Sequence, residues 1–186
     1  MKAIFVILSA LAASVLATPV LSERQLETQA DEIDKLIAVV QGHTANINKT
    51  TAAAPANPDL LQQTAAANAL APDFDGITKA LTAATTILTK RALGLDKEAR
   101  GTATCGGDCL LIKVKFLVWE IACTLKFVII KLGLACVLIY LTPLILALSG
   151  LLKCLDKVVA GLLFAVKGIL SAVLGAVAGG LLGLIL

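Results

Sequence analysis

The chain has 186 residues, of which 58% are hydrophobic, 16% charged and 4% aromatic, and its formal net charge is +3. Charged residues usually make up about a quarter of a soluble domain, so the composition points away from an ordinary solvated globule. So small a charge, with no basic block interleaved with aromatics, excludes nucleic acid as a partner.

Residues 1–17 read as a signal peptide. Lys2 gives the positive start, Ala3 to Leu16 the apolar run, and Val15-Leu16-Ala17 a small-residue cleavage site before Thr18-Pro19. The run is short for a membrane anchor. Cleavage between Ala17 and Thr18 is therefore expected, on an oxidising export route.

Residues 18–91 form a polar helical region. Ser22-Glu23-Arg24-Gln25 has the spacing of a capping box. Beyond it, Leu26, Ala30, Ile33, Ile37, Val40 and Ile47 fall mostly on one helical face. Thr50 to Pro58 reads as a loop because of its prolines. A second helical piece is expected from Pro58-Asp59. A third follows Pro72-Asp73, with Phe74, Ile77, Leu81, Ala84 and Leu88 in helical spacing. The plain reading is a small antiparallel helical bundle with thin, alanine-rich stripes. Asn48-Lys49-Thr50 is a candidate N-glycosylation site. His43, the single histidine, reads as a helix-end or solvent residue. Lys90-Arg91 is a candidate dibasic processing site, or else a pair of cations at a helix C-terminus, which the helix dipole favours.

Residues 92–104 read as a linker, and the composition changes beyond it. Residues 105–186 contain three acids, seven lysines and all five cysteines. On an oxidising route Cys105, Cys109, Cys123, Cys136 and Cys154 are disulfide candidates, with one thiol left over by parity. C-x3-C at Cys105 and Cys109 offers too few ligands for zinc, so neither metal nor other cofactor is expected. Cys109 to Leu141 reads as a helix packed on more than one side, with Lys113, Glu120 and Lys131 in one stripe and Lys115 and Lys126 in another. Leu132 to Leu152 is uncharged over a length that could span a bilayer, interrupted by Gly133, Pro143 and Ser149-Gly150. A last segment starts near Leu151. In it Ser171, Gly175, Gly179 and Gly183 make a small-residue ladder of the kind that lets helix backbones approach closely.

Catalysis has no foundation here. No histidine follows His43, no G-x-S-x-G occurs, and the glycines near the C-terminus lack the Lys-Ser/Thr of a phosphate loop. Asp73 and Asp75 read as a helix start. Asp108, Glu120 and Asp156 read as charge partners of nearby lysines. The chain is read as a non-enzyme without a small-molecule substrate. Its fold class is all-α: an amphipathic helical N-terminal half and a strongly hydrophobic helical C-terminal half. A half so apolar cannot bury all its surface alone and must meet a boundary or another copy.

Export leader, polar helical half and apolar cysteine-containing half together resemble the secreted structural proteins of filamentous basidiomycete fungi. Those act beside the hydrophobins in aerial growth and hyphal attachment. The start MKAIFVILSALAASVLATPVLSERQ is similar to a fungal secretory leader. The chain is not a hydrophobin, because those need eight cysteines with adjacent pairs. The resemblance implies a place in the cell wall or extracellular matrix and a structural or adhesive role. The expected function is a secreted, self-associating protein that coats or attaches to hydrophobic surfaces, cell wall or lipid. Two alternatives stand beside it. One is a membrane-active toxin or pore-forming peptide released at Lys90-Arg91, and the other is a resident integral membrane protein.

Overall fold

A computed structural model of the chain describes residues 23–92, 107–157, 159 and 161–174, with side chains placed for 29–90, 108–157, 159 and 161–169. Five helices account for nearly all of these residues: α1 (Glu23–Ala53), α2 (Leu60–Ala92), α3 (Gly107–Leu132), α4 (Leu134–Asp156) and α5 (Leu162–Leu174). No strand occurs among the described residues. The protein is all-α, with an amphipathic first half and a hydrophobic second half.

The first half is a helical hairpin. Ala30, Ile33, Leu36, Val40 and Ile47 of α1 are buried, at the three- and four-residue spacing that puts them on one face. α2 opens with a reciprocal cap. Asp59 Oδ1 accepts from the Gln62 N–H at 2.8 Å, and Gln62 Oε1 accepts from the Asp59 N–H at 3.1 Å. This is capping-box geometry, with aspartate in the serine position.

α2 differs from the expected two pieces. It runs unbroken from Leu60 to Ala92 with Pro72 inside it. Proline removes one helical hydrogen bond and crowds the preceding turn, at about 3 kcal/mol. Burial offsets this, because Leu70 and Phe74 on either side of Pro72 are almost wholly inaccessible. Further along, the hydroxyls of Thr78, Thr82, Thr85, Thr86 and Thr89 each donate to the carbonyl four residues earlier. Their polar groups are satisfied within the helix, which allows a threonine-rich stretch to pack.

The second half is a looser hairpin in more apolar residues: α3 and α4 touch each other little, and α5 packs along α3. Only Gly133 separates α3 from α4, at φ 79° and ψ 146°. A Cβ is strongly disfavoured there, so this position ends α3. Pro143 and Gly150, which look like equal interruptions in the sequence, lie inside α4. α4 runs on to Asp156, past the expected start of the last segment, and α5 begins only after Gly161 (φ 79°). Asp156 Oδ1 accepts from the Leu163 N–H at 3.3 Å, occupying one of the unpaired donors at the start of α5.

The two hairpins pack on each other. Asp34 meets Lys113, Thr44 meets Glu120, and the carbonyls of Ala54 and Pro55 accept from Lys131, so α3 runs parallel to α1. Gln63 meets Cys136, Asn68 meets Tyr140, and Thr89 lies 3.5 Å from Cys154, so α4 runs parallel to α2. Phe74 and Tyr140 stack across that second seam with ring centroids 6.4 Å apart. Polar and apolar halves share one core, which runs from Ala30 to Val166.

Candidate functional site

The outer face of the second hairpin is the candidate site. Along α3 the buried positions Val114, Leu117, Val118, Ile121, Leu125 and Val128 face the core. On the opposite side Ile112, Phe116, Trp119 and Ile130 are between 44% and 72% exposed, with Cys123 and Phe127 half-buried in the same row. Spacings of four and three keep these six residues in line. On α4 the outward residues include Leu138, Ile139 and Leu146, and on α5 Phe164 is 84% exposed. Nine of the twelve exposed large hydrophobics among the described residues belong to α3, α4 and α5. That concentration exceeds the single scattered exposures normal for a soluble surface.

α4 is also the one described helix long and apolar enough to cross a membrane, and only 39% of its most apolar stretch is buried inside the molecule.

The lysines divide by role. Lys113 pairs with Asp34 and Lys131 holds the loop carbonyls of Ala54 and Pro55, so both bind the two halves together. Lys115, Lys126, Lys153, Lys157 and Lys167 make no ion pair among the described residues. The carboxylates of this half do not serve as the expected lysine partners. Glu120 accepts from Thr44 and Asp156 from the α5 backbone, while Asp108 is exposed in the first turn of α3.

The disulfide expectation needs correction. Cys123, Cys136 and Cys154 are free thiols. Cys136 and Cys154 are spent on polar partners of α2, at 3.6 Å from Gln63 Oε1 and 3.5 Å from Thr89 Oγ1. Cys123 faces outward on α3. Cys109 differs from these three and is disulfide-bonded; Cys105 lies outside the described residues. Desolvation raises the Cys123 thiol above its ordinary value, Glu120 pushes it the same way, and Lys126 opposes them.

His43 is neither a helix end nor free. It lies within α1, and its Nδ1 donates to Asp73 Oδ1 at 2.8 Å. Gly76 makes room for it: a Cβ there would sit 2.4 Å from His43 Cε1. Asp73 also accepts weakly from Asn46 at 3.4 Å, so this carboxylate closes the α1–α2 seam and does not start a helix. Among the described residues no three His, Cys, Asp or Glu groups gather in a way that could hold a metal.

Other expected positions are placed or fall outside. Asn48 lies half-buried near the end of α1. Lys90 and Arg91 belong to the last turn of α2, with Lys90 exposed. Ser171 lies in α5, whereas Gly175, Gly179, Gly183, Ala17 and Thr18 lie outside the described residues. The sequence reading missed the outward row on α3. Its signal is the set of apolar positions between the two lysine stripes, which by themselves read as core.

The fold and site define a class: a helical protein of two packed hairpins, one polar and one presenting an apolar outer face. No family model, curated protein or solved structure matches the chain.

Proposed function

We propose that this protein is a non-enzymatic amphiphile that works at a lipid boundary, with the α3–α4 hairpin toward the lipid and the α1–α2 hairpin toward water. The observation that carries this reading is the incomplete burial of α4, a 23-residue apolar helix with Leu138, Ile139 and Leu146 turned outward. Apolar surface removed from water contributes about 25 cal/mol per Å2, so a few hundred Å2 gives firm adsorption. Flotation of the full chain with lipid vesicles tests it. Co-migration with the vesicles supports the reading, and a detergent-free monodisperse monomer left at the bottom of the gradient overturns it.

A second reading is a secreted coat or matrix protein that adsorbs to a hydrophobic surface or to other copies of itself. Its support is the same segregation, nine exposed large hydrophobics on α3–α5 against Val39, Leu60 and Leu61 on the first hairpin. Growth of oligomers without lipid, together with adsorption to an oil or air interface, would favour it over the membrane.

A further inference from the structure

We propose that the outward row of α3 is a docking face for anionic lipid, on which the helix lies in the plane of the interface and does not cross the bilayer. The inference rests on the membrane reading above and adds to it a lipid class and an orientation.

Three observations carry it. The first is the row itself, Ile112, Phe116, Trp119 and Ile130, apolar and exposed along most of a 26-residue helix. An amphipathic helix of this kind buries its apolar face at the boundary between headgroups and acyl chains. The second is charge. Lys115 and Lys126 border the row on one side, eleven residues apart and so aligned on the helix, and neither has a carboxylate partner among the described residues. The described carboxylates of this half leave them uncompensated: Glu120 is turned to Thr44, Asp156 caps α5, and Asp108 stands at the far N-terminal end. Unpaired lysines beside an exposed apolar row are complementary to a negatively charged headgroup layer, and each is worth about fivefold in binding near such a surface.

The third observation fixes the orientation. The opposite border of α3 carries Lys113, Glu120 and Lys131, all bound to α1 or to the loop after it. A spanning α3 would drag those charges and their polar partners into hydrocarbon, which is strongly disfavoured. Lying flat, α3 keeps the α1 seam intact while its lysines reach the headgroups with their apolar stems along the surface. Trp119 is the single tryptophan of the chain and sits within the row, so it reports directly on the contact.

The test is a titration of the full chain with vesicles of phosphatidylcholine alone and of phosphatidylcholine with about one-third phosphatidylglycerol, followed by Trp119 emission. The expected result is a blue shift with both, at least tenfold tighter for the anionic vesicles at low salt and converging as salt rises. The double variant Lys115→Gln/Lys126→Gln should lose about 25-fold on anionic vesicles and nothing on neutral ones. Lys79→Gln, at an exposed lysine paired with Asp75 on the other hairpin, should change neither. Equal binding to both vesicle types would overturn the anionic docking face while leaving the membrane reading in place. Binding to neither would overturn both. Vesicle binding with unchanged Trp119 emission would overturn the placement of the α3 row at the lipid.

Discussion

Thr44 Oγ1 on α1 donates a 2.8 Å hydrogen bond to Glu120 Oε1 on α3, joining the polar hairpin to the apolar one. Thr44 is buried, and its hydroxyl has one proton to give, so the longer 3.2 Å approach to the Gln41 carbonyl is secondary. Thr44→Val keeps the shape and removes the donor, leaving a half-buried carboxylate without that partner. Hydrogen bonds to charged groups contribute about 1.5–3 kcal/mol. Water reaches Glu120 in part, so a loss of about 1–2 kcal/mol in urea unfolding is expected. Lys113→Gln at the more exposed Asp34 pair should lose less than about 1 kcal/mol. Equal losses would mean that Thr44 is not the stronger link.

Gly76 and His43 make a second prediction, with a change of sign. In the native chain Gly76→Ala pushes the imidazole away and breaks its bond to Asp73, at about 1 kcal/mol. With His43→Ala already in place the obstruction is gone, and Gly76→Ala should stabilise by up to about 1 kcal/mol through helix propensity. Thermal unfolding of the four members of the cycle measures this. Two effects of the same sign would refute the contact.

Much of the fold is legible in the residues, and the exceptions share a cause. The α1 positions Ala30, Ile33, Val40 and Ile47 are all buried, as are Phe74, Ile77, Leu81, Ala84 and Leu88 in α2. Periodicity finds them because one-sided burial imposes it. Pro72 misleads because a local rule for helix starts gives way to packing of Leu70 and Phe74 against the core. The outward row of α3 is hidden for a related reason. Two lysine stripes mark two polar edges, and the sequence alone gives no indication that Lys113, Glu120 and Lys131 turn inward to partners 76 to 79 positions away. Once that edge faces α1, Ile112, Phe116 and Trp119 are left outside. The disulfide expectation rests on compartment and parity, neither of which places Cys136 or Cys154 beside a partner sulfur.

The Gly133 turn gives a third prediction. At φ 79° and ψ 146° an added Cβ strains the backbone, although the nearest foreign atom, Gln63 Oε1, would be a comfortable 3.9 Å away. Gly133→Ala should therefore destabilise by about 1–3 kcal/mol through conformation alone. Gly150→Ala is the matched comparison, since Gly150 lies inside α4 with open space around its missing Cβ. That change should stabilise by about 0.5–1 kcal/mol. Denaturant midpoints of opposite displacement are the expected result, and a neutral Gly133→Ala would show that the α3–α4 corner relaxes to another conformation.

The last prediction concerns the reactivity of Cys123 on the outward row of α3. Its pKa is raised, first by desolvation and then by Glu120, with Lys126 acting against both. The thiolate is the nucleophile, so at neutral pH only a small fraction of Cys123 can react with iodoacetamide. The rate should climb about tenfold per pH unit through the mildly alkaline range, where the thiol is still mostly protonated, without levelling off there. Glu120→Gln removes a charge that disfavours the thiolate and should speed labelling, whereas Lys126→Gln removes one that favours it and should slow it. Peptide mapping by mass spectrometry separates Cys123 from Cys136 and Cys154, which face α2. Labelling of Cys123 at neutral pH as fast as in the urea-unfolded chain would contradict the raised pKa. The two charge variants moving the rate the same way would contradict the electrostatic assignment.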